Sequence, residues 1–311
     1  MKPAAASRDW AKESPYERFF DFIAPDADRY TILLALTEKL MLNSVVIPIE
    51  EKSHFFIFPR GQSLKPSAGG IFPFRGQSPV ILVAHYDRVD GSPGANDNSA
   101  AVFQLLKAAL RLGELGSDYW IIIFTDKEEL EAGEGIRAQG SFSLAEKLRT
   151  WGLGDARVFN FDACGTGDTF VISSTTDYLL KNDERPGLRR TKQLILGLRD
   201  QALDTARYLG LNKVLLVPTP FSDDAGFLRA GIPAQTVTVL PAGEAAPYAS
   251  LLRNRPDFAG LLIAGTIKDS SDRLLVPETW RRLNGPSDSH LRLTPGFYDR
   301  VVRFAVELCR S

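Results

Sequence analysis

The sequence is poor in the residues that most often announce a function. It holds 2 cysteines, Cys164 and Cys309, and 3 histidines among 311 residues. Two thiols cannot build a disulfide framework or a cysteine-rich zinc site. Neither charge is in excess, with Lys+Arg 37 against Asp+Glu 38. That balance excludes a partner held by bulk charge, so neither nucleic acid nor a membrane surface is expected. No uninterrupted apolar run is long enough to span a bilayer. The opening stretch MKPAAASRDWAKESPYERFF has no continuous apolar segment of the kind a secretory signal needs. The expected location is therefore cytoplasmic. What is present is an ordinary globular composition, 44% hydrophobic and 24% charged, on a chain long enough to bury a large core.

Hydrophobic periodicity divides the chain. Residues 1–28 are polar with a few aromatics and read as an N-terminal arm; 29–311 reads as a single domain. Tyr30–Leu42 repeats as a helix. Val45–Ile49 and His54–Phe58 read as a hairpin about EEKS, with His54 on its surface. Residues 61–76 are rich in Gly, Pro and Ser and read as a loop. Buried strands are expected at Val80–Ala84, Tyr119–Phe124, Arg157–Phe161, Thr169–Ser173, Lys213–Val217 and Gln235–Leu240. Helices alternate with them at Asn98–Leu112, Ser143–Trp151, Leu188–Leu209, Ala225–Ala230 and Gly296–Arg310. Strands apolar throughout and separated by helices predict an α/β fold, with a mostly parallel central sheet covered on both faces. Residues 241–284 show no usable period. The four tryptophans and Cys164 read as packing.

In such a sheet, function gathers beyond the carboxyl ends of the strands. After the first buried strand come His85 and Asp87, then Asp97 within GANDNSAA. After YWIIIF come Glu128 and Glu129, and after RVFNF comes Asp162. His290 follows near the C-terminus. Each has a bland reading. His85 alone is a polar rim residue, Asp97 a helix N-cap, and Glu128-Glu129 a solvated helix start. Asp162 alone is a turn residue. Their joint placement at successive strand ends is harder to explain that way. Asp87 lies on the same side of an extended chain as His85 and can hold its imidazole. His, Asp and Glu without Cys are hard-to-borderline donors that suit zinc, manganese or cobalt. Five ligands exceed one open tetrahedral site and suffice for two ions that share a carboxylate.

The run of motifs His85-Tyr86-Asp87, Gly94-Ala95-Asn96-Asp97-Asn98, Asp126-Lys127-Glu128-Glu129, Gly140-Ser141, Asn160-Phe161-Asp162, Ser222-Asp223, Gly231-Ile232-Pro233-Ala234 and His290 resembles the di-zinc aminopeptidases of the glutamate-carboxypeptidase and transferrin-receptor superfamily. The resemblance covers roughly residues 79–305. It implies a zinc-exopeptidase fold and removal of N-terminal residues from a peptide substrate. It implies two zinc ions, one on His85 and Asp162, the other on Glu129 and His290, with Asp97 bridging. It implies Glu128 as general base, Asp87 as the residue orienting His85, and a cis peptide after Asp97. Asp224 stands where the family often has His, and LEAGEGIRAQ lengthens the stretch before Gly140-Ser141.

Two other readings compete. A glutaminyl-cyclase-like or carboxypeptidase-like enzyme would share the fold, and one ion per chain would favour the cyclase. A non-catalytic superfamily member would bind no metal.

Overall fold

The computed structural model describes residues 8–62, 78–131, 133–181, 188–267 and 269–311. The loop expected at 61–76 falls almost wholly outside them. The apolar runs become one eight-stranded sheet: β1 (Asn43–Ile49), β2 (Lys52–Phe58), β3 (Val80–His85), β4 (Trp120–Thr125), β5 (Arg157–Phe161), β6 (Thr169–Ser173), β7 (Val214–Val217) and β8 (Ala234–Leu240). Their spatial order is β1-β2-β4-β3-β5-β8-β6-β7. β4, β3, β5 and β8 are parallel, and β1 with β2 adds an antiparallel edge. β6 and β7 are parallel to each other and antiparallel to β8. The sheet is thus mixed, mostly parallel, as the strand–helix alternation predicts.

The helices are α1 (Phe19–Phe22), α2 (Arg29–Lys39), α3 (Ala100–Glu114), α4 (Gly140–Thr150), α5 (Thr175–Leu180), α6 (Arg189–Tyr208), α7 (Asp223–Arg229), α8 (Ala242–Asn254), α9 (Asp257–Ile263), α10 (Ser270–Leu275), α11 (Glu278–Arg281) and α12 (Tyr298–Leu308). No helix among the described residues is long and apolar enough to cross a membrane.

Period-two alternation assigns the two faces. Val80, Leu82 and Ala84 of β3 pack with α2, α3 and α12, whereas Ile81 and Val83 pack with α4 and α7. Both faces are covered, so these strands read as continuous apolar runs. Full burial of each such aliphatic side chain contributes about 1.5–3 kcal/mol.

Three expectations are corrected. Residues 8–28 do not form a separate arm: Tyr16, Phe19, Phe22 and Ile23 are buried in the same core as Phe103 and Tyr298. Aromatics dispersed among charges conceal that packing, because the helical pieces are too short to show a period. Residues 241–284 form α8 to α11, of which α8 carries Pro247 inside it and the other three span 7, 6 and 4 residues. Segments that short carry little periodicity.

The third correction concerns His54, which is fully buried. β2 is flanked on both sides by β1 and β4, and alternation puts His54 on the same face as Phe56 and Phe58, which pack against the α4 layer. Neither ring nitrogen has a hydrogen-bond partner. Burial, aided by the Lys52 charge and opposed by Asp87, pushes its pKa down to about 4. Between that value and the unfolded one of about 6.5, the unfolded chain binds the extra proton, so stability falls as pH drops through this window. His54→Phe is expected to remove up to about 3 kcal/mol of this acid-side loss. Urea melts at pH 7 and pH 4.5 measure it; equal losses in variant and parent would sink the assignment.

Candidate metal centre

β3 sits at the switch point of the sheet, with β4 on one side and β5 on the other. A crevice opens there at the carboxyl ends of the strands. His85 is the last residue of β3 and is 3% exposed. Its Nε2 lies 3.0 Å from Asp97 Oδ1 and 3.8 Å from Asp162 Oδ1. Its Nδ1 lies 3.3 Å from Asp87 Oδ1. The other Asp87 oxygen accepts from the Glu128 backbone N–H at 3.0 Å. Asp87 thus joins the histidine to the turn that carries the paired glutamates.

Asp97 does not cap the helix after it: α3 has no side-chain cap. Its neighbours explain the rest of GANDN. Asn98 donates to the Phe161 carbonyl at 2.8 Å and accepts from the Ala163 N–H at 3.3 Å. Asn96 accepts from the Gly165 N–H at 2.7 Å. The two asparagines clamp the end of β5 and so bring Asp97 to Asp162. The Asp97–Asn98 peptide is cis, as the resemblance implied.

Among the described residues, His85, Asp97 and Asp162 each place a ligand atom within 4.8 Å of the others. Glu128 and Glu129 line the same cavity of about 180 Å³ as Asp97 and Asp162. His290 lies outside that lining, on a 3-10 turn (His290–Arg292), with its ring edge-on to Phe20 at 5.1 Å. Four of the five expected ligands, with Glu128 and Asp87, are therefore gathered at one place. Asp288, two residues before His290, does reach the site: its two oxygens accept from the Asn96 and Asp97 N–H groups at 2.9 and 3.0 Å.

Three non-glycine residues with left-handed backbone present the site: Lys127 (φ 59), Ala163 (φ 52) and Asn284 (φ 59). Such conformations cost of order 1–3 kcal/mol each and cluster at functional sites. Gly140 lets the acidic turn close, since a Cβ there would lie 1.8 Å from the Asp126 carbonyl.

The electrostatics follow from crowding. Burial works against a charged His85, but the surrounding carboxylates of Asp162, Asp87 and Asp97 outweigh it and hold the imidazole well above its usual pKa. Burial is likewise the main unfavourable influence on Asp162, yet His85 and Ser222 bring its pKa below the usual value. Burial raises Asp97, with the Asp162 charge adding to it. Burial, together with the charges of Asp162, Asp97 and Asp223, lifts Glu128 well above the carboxylate range against the opposing pull of His85. Glu129 is raised by burial and by Asp97, while Asn284 donates to it at 3.0 Å. Asp162 Oδ1 and Asp87 Oδ1 are buried without a hydrogen-bond partner. Oxygen and imidazole donors converging in this way fit a divalent cation of the zinc, manganese or cobalt kind.

Several functional residues carry no sequence signal. Arg29, at the start of α2, donates to the carbonyls of Tyr86, Asp87, Pro93 and Gly94 and to Ser99 Oγ. Asp288 and Asn284 lie in the unreadable segment or just after it. Trp280, expected as packing, does stack edge-on to Tyr248 but also lines the cavity. Asp223 takes a hydrogen bond from Thr125 at 2.8 Å, and burial raises it to about 6. Cys164 is buried, as expected of a packing thiol.

A mostly parallel α/β sheet with His, Asp and Glu converging at its switch point defines an α/β protein with a candidate divalent-metal centre. Residues 70–251, more than half of the chain, match the model of peptidase family M28, and the chain belongs to that family. No curated protein matches it. Solved structures share the fold at low identity. LapA aminopeptidase of Legionella pneumophila is 14% identical with a TM-score of 0.59, over 95% of this chain and 68% of that one. A glutaminyl cyclase of Porphyromonas gingivalis is 16% identical with a TM-score of 0.57, over 94% of both chains. BSAP, a zinc aminopeptidase from Bacillus subtilis, is 17% identical with a TM-score of 0.52, over 82% of this chain. The chain spans about half the length of BSAP, 49% of it.

Proposed function

We propose that the chain is a zinc-dependent aminopeptidase that removes N-terminal residues from peptides, acting in the cytoplasm. The observation that carries this reading is the His85, Asp97 and Asp162 cluster, whose ligand atoms lie within 4.8 Å of one another, beside a buried Glu128 in the same cavity. His85 and Asp162 would hold one ion and Glu129 and His290 a second, with Asp97 available to both. Zinc held there would supply Lewis acidity toward a water and the scissile carbonyl. Glu128, buried in the same cavity, would take a proton from the attacking water and pass it to the departing amine. Asp87 fixes the imidazole of His85 and, through the Glu128 N–H, the start of the acidic pair. Trp280, Phe221 and Leu283 give the cavity an apolar wall for the substrate.

The fold likeness to the P. gingivalis cyclase, which extends over 94% of both chains, favours one second reading, cyclisation of N-terminal glutamine on the same residues. One experiment separates the two. Purified protein is loaded with zinc, its metal is counted, and it is offered an amino-acid arylamide panel alongside a glutaminyl peptide. The aminopeptidase reading expects two ions per chain, one after His290→Ala, and arylamide hydrolysis abolished by chelation. One ion in the parent with pyroglutamate formation replaces it by the cyclase.

A further inference from the structure

A cavity of about 530 Å³ lies apart from the metal centre. It lies between α5, α6 and the α8–α9 pair, within the size range of small-molecule sites. Its body is apolar, built by Ile195, Leu252, Pro256 and Ala259. Tyr178 and Leu196, two of the chain's exposed large apolar side chains at 41% each, stand in its lining. Exposed apolar surface around a concavity is a mark of binding. Its charges are Lys181, Lys192, Arg199 and Asp177. Asp177 is taken by Arg199 at 2.9 Å, and Arg199 also meets Asp200 at 3.0 Å. Neither Lys181 nor Lys192 pairs with a carboxylate among the described residues. An apolar chamber with two ammonium groups that meet no carboxylate among the described residues complements a ligand with a hydrocarbon body and an anionic head.

The cavity also shares a wall with the metal centre. Pro218 lines one side of that wall, and Thr219, Pro220 and Phe221 line the other. The wall is pinned from the α5 side. Thr175 Oγ1 donates to the Thr219 carbonyl at 2.7 Å and accepts from its N–H at 2.8 Å. Ser173 Oγ meets Thr219 Oγ1 at 2.8 Å, and the Tyr248 hydroxyl donates to the Pro218 carbonyl at 2.8 Å.

We propose that this cavity is a second ligand site that takes an aliphatic carboxylate, and that its occupancy reshapes the substrate cavity through residues 218–221. The carboxylate sits between Lys181 and Lys192, and the chain lies along Ile195 and Leu252. A ligand seated there presses on α5 and Pro218, hence on Thr219 and Phe221 across the wall.

Calorimetric titration of the zinc-loaded protein with decanoate tests the site without turnover, so it stands apart from the peptidase reading. One decanoate per chain is expected. The double variant Lys181→Glu/Lys192→Glu should weaken it by about tenfold or more, a change of about 1.4 kcal/mol. Leu196→Trp should also weaken it, by filling the mouth, and decylammonium should bind the parent poorly. No decanoate binding, binding untouched in both variants, or decylammonium binding as well as decanoate would overturn the site. For the coupling, decanoate should shift arylamide KM at least twofold in the parent and not in the double variant. An unchanged KM with decanoate bound would overturn the coupling alone.

Discussion

Glu128→Gln is expected to lower arylamide turnover by about 10²–10⁴-fold, the usual share of a positioned acid–base group, while leaving bound metal unchanged. Glutamine matches the shape of the side chain and cannot carry the proton. The backbone of Glu128 is pinned from both sides, its N–H by Asp87 at 3.0 Å and its carbonyl by Gln139 at 2.9 Å. A loss of rate therefore reports on the missing proton carrier rather than on a displaced loop. The proposed ligands are His85, Asp97, Glu129, Asp162 and His290, so metal stoichiometry should stay at its parental value without the Glu128 carboxylate. Turnover near that of the parent would remove Glu128 from the reaction; loss of metal would reassign it as a ligand.

Arg29→Met is expected to destabilise the protein by about 3–5 kcal/mol, the range for removing one partner from a buried charged network. Arg29 is 6% exposed, and its side chain lies 4.7 Å over the Phe22 ring. Its donors satisfy four carbonyls of the segment that runs from His85 to Asp97. Methionine fills much of the volume and leaves those carbonyls unpaired, at about 1–3 kcal/mol for each that water cannot reach. The guanidinium also faces Asp87, Asp97 and Asp288, the acids that attract it in the fold. Its loss should therefore weaken metal retention as well, by loosening the segment that presents Asp97. Thermal melts and competition with a chelator read the two effects. A variant that melts and holds metal like the parent would show that the segment stands without Arg29.

The parts of this architecture legible in the sequence are those encoded by short-range pattern. β3 and β4 are buried on both faces and read as unbroken apolar runs. The donors His85, Glu128, Glu129 and Asp162 follow strand ends, where a parallel sheet exposes them. What the sequence hides are contacts made by lone residues over long separations. Arg29 looks like an ordinary first residue of a helix, because its partners are carbonyls and carbonyls have no identity. Asp288 is one acid among many, and its partners are backbone N–H groups nearly two hundred positions away. His54 reads as a hairpin surface residue until β4 is known to pair with β2. The reversal of β6 and β7 relative to β8 is equally invisible, since a buried strand reads the same in either direction.

The bond from Asp288 to the Asn96 and Asp97 N–H groups spans 192 and 191 residues. Contacts of that separation close late, after the loop entropy between them has been met. During synthesis, β3, β4 and β5 all leave the ribosome before the residue that locks their shared loop. A growing chain that has not reached position 288 carries the acids and the histidine without the strut that fixes Asp97. Ordering of the Asp97 loop is thereby tied to a residue far along the chain: the strut that fixes it arrives only with Asp288.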